Sequence, residues 1–453
     1  MDRVQAYRHV ISDLARLAAS FEFTDEARTA AIEAVMDTVT AAVAAPRFPF
    51  LNAVHEVHGH GHSAIWFSGK TASPIGSAFA NALSSAALDL DDGHRPSRGH
   101  PGAAVVPAVI AQLDQFNAQH RLVDDDTALK SVAVGYEIGL RVAAAKNFYA
   151  RTGFWAGIAA AAAVASLRQL PAEQTSHALA IAAETGPHMA TTTAPPAWPQ
   201  ASGTDVKEGI PWGVANGLAA VSLANGGMTG PLDLLDHAPF FDPELMLSTR
   251  KTPLICETYT KFYAACRHIH GPVEALAGLM SKHALAWQNI LKISVETYSG
   301  ALRISNRVRP ATLVDAQYSI PYCLGLTAVC GLDKMATMDI EDLGITPAEN
   351  VAERVILSIS EKLEREFPAR TLSRITLETD RGTFVSSLTA PSGEADDRPD
   401  WDRRVEKLLL ATSRALSPDD RNELLNAMEA LRSGKLSDLR ARLSTHHAPP
   451  QGH

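Results

Sequence analysis

Between Ser84 and Pro107 the chain reads SSAALDLDDGHRPSRGHPGAAVVP, and Asp89, Asp91, Asp92, His94, Arg95, Arg98 and His100 crowd into the middle of it. Apolar, helix-like sequence lies on both sides. Charge between two apolar helices must be paired, neutralised or used. Imidazole, with an ordinary pKa of ~6.5, takes and gives protons near neutrality. Guanidinium groups hold carboxylates and phosphates. Pro101 suits a first helical position, so the free N–H groups of the following helix point back at the junction as an anion site. These residue types predict proton transfer on a small anion, with the junction as the floor of the site. The plainer reading is a solvated turn whose Asp residues only cap a helix, and it leaves the imidazoles and guanidiniums unused.

A second constellation follows at Lys261–Pro272, KFYAACRHIHGP, with Lys261, Tyr263, Cys266, Arg267, His268 and His270 ahead of a predicted helix over 272–283. Again cations and imidazoles precede a helix start. Lys207 follows a Thr- and Pro-rich stretch, Thr191–Pro199, whose prolines forbid a helix and predict a lid or linker. A lone Lys is usually solvated, and Asp205 and Glu208 are near enough in sequence to pair with it. His55, His58, His60 and His62 form HEVHGHGH. The spacing is not H-E-x-x-H, and alternating Gly predicts a solvated loop with incidental metal affinity.

The elements that position these groups are mainly helical. The chain of 453 residues is 46% hydrophobic but only 6% aromatic, so its core is built of Ala, Leu, Val and Ile. Helices are expected over 4–19, 25–45 with Thr24 as N-cap, 75–90, 102–118, 126–145, 154–167, 172–186 and from Lys207 to about 225. Turns and short helices follow over 231–249. After 285 the pattern alternates: strands over 290–298, 373–379 and 383–388, a hairpin turn at Asp380–Gly382, and helices over 313–331 and 347–356. A polar linker over 391–400 leads to helices over 402–416 and 417–432 and a disordered tail. A net charge of −9 without a basic block argues against nucleic acid. The longest uncharged apolar stretch, Thr152–Leu167, falls short of the ~20 residues of a membrane span. Four cysteines without C-x-x-C spacing and no secretory leader point to free thiols in the cytoplasm.

Two segments carry a family resemblance. ANALSSAALDLDDGHRPSRGHPGAAVVPA resembles the MmgE/PrpD signature, in which an Ala-rich helix runs into D-x-D-D and then HPS or HPG. KFYAACRHIHGPVEAL resembles that family's second signature, and GYEIGLRVA (135–143) and the Ala helix after Thr152-Gly153 match in order. The resemblance spans residues 5–435. It implies a homodimer with a large all-α domain (1–266, resumed at 398–453) and an inserted smaller α+β domain (267–397). It implies a cleft between them that needs no metal or organic cofactor. It further implies a lyase acting α to a carboxylate of a small di- or tricarboxylic acid. A 2-methylcitrate dehydratase-like reaction leads, with an iminodisuccinate-type epimerase or a cis-aconitate-type decarboxylase as alternatives, and a silent carboxylate-binding protein as a different class. Asp89, His100, Lys207 and His268 are then expected as catalytic groups, with Asp89 orienting an imidazole. His94, Arg98, Thr152, Lys261, Cys266 and Arg267 are expected to bind substrate. The chain departs from the pattern at Gly93, where the family has Thr, at Ala150-Arg151-Thr152, where an imidazole is lost, and around Lys207. Gly93 and His94 are where its own specificity is expected to lie.

Overall fold

The Ala-rich stretch after Thr152 is the hub around which the first half of the chain packs. In this computed structural model, which describes residues 8–148, 150–187, 203–237 and 239–446, it forms a helix buried on nearly every side. The longer helices of this half, in order, are α1 (Val10–Ala19), α2 (Asp25–Ala44), α3 (Pro74–Ala87), α4 (Pro101–Ala118), α5 (Asp125–Ala144), α6 (Gly153–Arg168), α7 (Ala172–Thr185) and α8 (Ile210–Asn225). The caps follow the expected chemistry. Thr24 accepts from the N–H of Ala27 and Ser73 from that of Gly76. α6 is the Ala helix, and it packs against α4, α5, α7 and α8. Small residues make that possible. A Cβ placed on Gly139 of α5 would lie 2.5 Å from the Ala159 methyl, and one on Gly217 of α8 would lie 2.4 Å from the Gly157 carbonyl oxygen. The helices meet backbone to backbone, so few aromatics are needed.

A hairpin the periodicity did not anticipate, β1 (Ser63–Ile65) and β2 (Lys70–Ala72), precedes α3. The Thr- and Pro-rich stretch 188–202, the tail from 447 and the start of the first predicted helix lie outside the described residues.

A second apolar core forms around α9 (Arg267–Lys282) and a four-stranded sheet. The strands are β3 (Ile290–Thr297), β4 (Val355–Ile359), β5 (Arg374–Thr379) and β6 (Gly382–Val385), in the order β4-β3-β5-β6. β3 runs parallel to β4 and antiparallel to β5, and β5–β6 is the expected hairpin, with Thr379 opposite Gly382. Three expectations are corrected here. The helix expected at 272 begins at Arg267, because Cys266 serves as N-cap and the helix carries Pro272 internally. The predicted 313–331 helix splits into Leu313–Gln317 and α10 (Ile320–Cys330), because Ser319 caps the second piece and Pro321 opens it. The predicted 347–356 helix ends at Ala352 and β4 follows. The fold is mainly α with a small α+β part.

The chain then returns to the helical core through α11 (Trp401–Ala411), α12 (Pro418–Arg432) and α13 (Leu436–Leu443). Lys407 of α11 donates to Asp37 of α2 at 2.6 Å and to the Leu90 carbonyl at 2.9 Å. Among the described residues no helix is long and apolar enough to cross a membrane.

The α6–α8 contact makes a prediction. Gly217→Ala gains helix propensity, worth about 1 kcal/mol. It also drives a methyl into a backbone carbonyl that cannot rotate away, and overpacking of this kind costs about 1–3 kcal/mol. Overpacking should win, and thermal unfolding should show a lower midpoint. A midpoint at or above that of the parent would show that α6 and α8 do not approach this closely.

Candidate active site

The segment after α3 alternates. Leu88 and Leu90 enter the second core, and Asp89 and Asp91 point the other way. Asp89 has φ 56°, a left-handed conformation uncommon for a residue with a Cβ. Arg98 (53°), Lys207 (40°) and Glu208 (59°) share it, so four strained residues belong to the same region. Asp92 accepts from the Gly102 N–H at 2.9 Å and from the Tyr136 hydroxyl at 2.9 Å. It thereby caps α4, whose N-cap residue His100 makes no side-chain cap. The anion expected at this helix start is therefore the chain's own Asp92. Burial first, then the charges of Asp37 and Asp91, push the Asp92 carboxyl up to about 7.

The two signature segments are stitched by backbone. Gly93 and Tyr259 exchange hydrogen bonds of 3.1 and 2.8 Å. A Cβ on Gly93 would sit 2.4 Å from the Tyr259 phenol oxygen. The missing Thr is thus explained sterically: the Tyr259 ring fills its place.

His100 is the centre of a buried cluster. Its Nδ1 is 2.9 Å from Asp91 Oδ1 and 3.5 Å from Lys261 Nζ, and its Nε2 is 3.6 Å from Asp89 Oδ1. Lys261 donates to the Asp89 carboxylate and, at 2.9 Å, to its carbonyl. Asp91, not Asp89, makes the short contact that orients the imidazole, which corrects the expected role of Asp89. Burial alone would lower the His100 pKa. Asp91 and Asp89 outweigh it, and the pKa is raised despite Lys261. Burial would likewise raise Asp89, yet Lys261, His100 and Lys207 hold its carboxyl far below the usual range. Burial would lower Lys261, and Asp89 and Asp91 hold it protonated. Asp89, Asp91 and His100 offer atoms spaced as metal ligands. The Lys261 ammonium already contacts two of the three, Asp89 and His100, so a cation supplied by the chain stands beside that set.

Asp89, His100 and Lys261 open onto a cavity of about 550 Å³ at the seam of the two cores, which Arg98, Cys266, Arg267 and His268 also line. Seven of the ten expected site residues therefore share one wall. His94, Thr152 and Lys207 are buried behind it. His94 bonds Ser97 Oγ at 2.7 Å. Thr152 Oγ1 accepts from the His100 N–H at 3.3 Å. Lys207 donates to Gln317 Oε1 at 3.0 Å and lies 5.7 Å from the Tyr318 ring centre. Glu208 is not its partner: its carboxylate accepts from the Thr152 N–H at 3.1 Å. The Cys266 thiol is pushed up to about 12 by burial, so it is not a thiolate nucleophile. His268 Nδ1 meets the Tyr298 hydroxyl at 2.6 Å, and burial, then Arg95, lowers its pKa to about 4.

Sequence reasoning missed Arg95, Glu208, Tyr259, Arg303 and Tyr318 on the wall, with an apolar face of Ile304, Phe367 and Pro368. Arg95 stood inside the first motif, and the others carry no local signal. The His55–His62 tract is also corrected. His55 and His58 lie on a short helix, Val54–His58, and His58 packs against Phe79 and Trp212 with its pKa lowered by burial. Among the described residues the tract forms no metal-ligand grouping.

Comparison with known proteins finds one family along most of the chain. The MmgE/PrpD N-terminal domain matches residues 12–243 and the MmgE/PrpD C-terminal domain residues 263–433. A cis-aconitate decarboxylase of Aspergillus terreus is 22% identical over 369 residues, 73% of each chain. A second, from A. terreus strain NIH 2624 / FGSC A1156, matches to the same extent.

The Lys261–Asp89 pair yields the next prediction. Removing one partner of a buried ion pair costs about 3–5 kcal/mol, whereas replacing both with neutral groups of similar size costs far less. Lys261→Met should lower the denaturation midpoint sharply, and Asp89→Asn/Lys261→Met should recover much of the loss. Equal losses in the single and double variants would show that the two charges do not depend on each other.

Proposed function

Because this chain belongs to the MmgE/PrpD family, we propose that it is a lyase that eliminates water from a small polycarboxylic acid, breaking a C–H bond α to a carboxylate. One observation carries the reading. Two imidazoles line one cavity, and their surroundings push their pKa values apart, up for His100 and down to about 4 for His268. Groups separated in this way act as acid and base. In the tautomer with its proton on Nδ1, His268 donates to the Tyr298 oxygen and keeps a lone pair on Nε2. That nitrogen removes the α-proton. His100, kept cationic by Asp91 and Asp89, protonates the hydroxyl that leaves the neighbouring carbon as water. The electron pair of the C–H bond becomes the new double bond. Arg98 and Arg303 on the cavity wall bind the carboxylates and the charge that develops on them. A bound anion also raises His268 toward the range of an effective base. Lys207 serves electrostatically, through the Asp89 charge that it helps to hold. Tyr259 offers a hydroxyl in place of the family's Thr.

A second reading, decarboxylation, is favoured by the names of the curated relatives. It needs a proton donor and cations but no base to break a C–H bond.

The two readings separate in one experiment. A panel of hydroxy and unsaturated di- and tricarboxylic acids in deuterium oxide, followed by proton NMR, should show an alkene forming with solvent exchange at the α carbon. Release of carbon dioxide without prior exchange would instead select the second reading. His100→Gln should lower kcat/KM by about 10²–10⁴-fold in either case. His268→Gln should do so only for elimination.

The pH profile has a definite sign. The base form of His268 is lost as pH falls through about 4. The acid form of His100 is lost only as pH rises through a value above the ordinary 6.5. kcat/KM should therefore be flat between these limits, and His268→Gln should remove the acid limb alone. A parent profile that still climbs between pH 5 and 6.5 would contradict these assignments.

A further inference from the structure

The four guanidiniums on the cavity wall are not equivalent. Arg95 and Arg267 converge on one oxygen of Glu394, with Arg267 at 2.8 Å. Glu394 lies in the connection between β6 and α11. Burial would raise its carboxyl, but the two guanidiniums hold it below the ordinary range. The Tyr259 ring lies against both, with its centre 4.6 Å from the Arg267 guanidinium carbon and 6.0 Å from that of Arg95. Lys261 is taken up by Asp89.

Arg98 and Arg303 remain. Neither has a carboxylate within ion-pair distance among the described residues, yet both line the cavity. They come from the two sides of the seam. Arg98 precedes α4, held in its strained conformation, and Arg303 follows the short helix Ser299–Leu302. Lys261 and His100 face the carboxylates of Asp89 and Asp91, and Arg95 and Arg267 face Glu394, so among the described residues Arg98 and Arg303 are the guanidiniums left for a ligand. Ile304, Phe367 and Pro368 are apolar, and a carboxylate against them would lose water without gaining a partner. Glu208 adds a negative charge to the same cavity.

We infer that the cavity selects dicarboxylates, one carboxylate on Arg98 and the other on Arg303, and that Glu394 sets this count by holding Arg95 and Arg267. The inference rests on the reading above that the ligand is a small carboxylic acid, and it narrows that class from polycarboxylates to dianions. Arg303 is a binding residue. Glu394 is a positioning residue that acts through two arginines.

Calorimetric titration of the whole protein with succinate, butyrate and tricarballylate tests it. The parent should bind succinate about tenfold more tightly than either of the others, the scale of one charge-assisted contact. Arg303→Gln, at an exposed position, should weaken succinate about tenfold and leave butyrate nearly unchanged. Glu394→Gln, which frees charge on Arg95 and Arg267, should move the preference toward tricarballylate, and Glu394→Asp should keep the parental order. A merely structural Glu394 would weaken all three ligands together. A parent that prefers tricarballylate, or succinate binding indifferent to Arg303, would overturn the inference while leaving the carboxylic acid reading in place. Failure of all three ligands to bind the folded parent would instead remove that reading, and the inference with it. Should Glu394→Gln not fold, Arg303→Gln still decides.

Discussion

Four buried carboxylates set the terms for this structure. Asp37, Asp89, Asp91 and Asp92 are each at most 4% exposed. They lie close enough that Asp92 responds to Asp37 and Asp91. Unpaired, such charges would be expelled or neutralised. Each is met by a partner, two of them from far along the chain. Lys261 answers Asp89, His100 answers Asp91, the Gly102 N–H and the Tyr136 hydroxyl answer Asp92, and Lys407 answers Asp37. The C-terminal return is thus an electrostatic necessity as well as a packing one. Without α11 there is no cation for Asp37, and the Leu90 carbonyl loses its donor. Two of the carboxylates, Asp91 and Asp89, also raise the His100 pKa against burial, so groups that fix the loop also set the character of its imidazole.

The position of the cluster follows from its alternation. In Leu88-Asp89-Leu90-Asp91 the apolar side chains go to the second core and the acids to the seam. The turn that ends α3, with Asp89 in the left-handed region, lets one strip of chain close the second core and floor the cavity. The backbone exchange between Gly93 and Tyr259 then ties that strip to the second signature. Gly93 is required for close approach of the Tyr259 ring and not for a turn.

Much of this layout was legible in the residues themselves. The Ala helix, the Thr24 cap, Pro101 at a helix start and the β5–β6 hairpin all follow from local rules, because their causes lie within a few residues. Seven of the ten expected site residues reached the cavity wall, since two dense motifs keep chemistry local in sequence. What was hidden is long-range. Glu394 meets Arg95 across 299 positions, and Arg303 stands in no motif at all. Pro272 suggested a helix start and instead lies inside a helix that begins at Arg267, so imidazoles read as loop residues belong to its first turn. β4 was invisible because its partner, β3, is parallel and distant. Asp89 and Asp91 could not be told apart from spacing, since both carboxylates stand near the imidazole and only Asp91 makes the short contact.

The division between His100 and His268 shows how the fold makes chemistry from a single residue type. Both are deprived of water, which taken alone lowers an imidazole pKa. His100 sits where α3 and α4 leave carboxylates, and two of them reverse the effect of burial. His268 sits on the first turn of α9, where Arg95 adds to the effect of burial and the Asp89 charge does not overcome the two. Two imidazoles on the two sides of one seam are therefore shifted in opposite directions, one by carboxylates and the other by burial. Glu394 belongs to this argument as well. By holding Arg95 to Arg267, it keeps in place a guanidinium whose charge adds to burial in lowering the His268 pKa. The carboxylate proposed to limit how much charge a ligand can bring would, on the same reading, also favour the lone pair proposed to act on it.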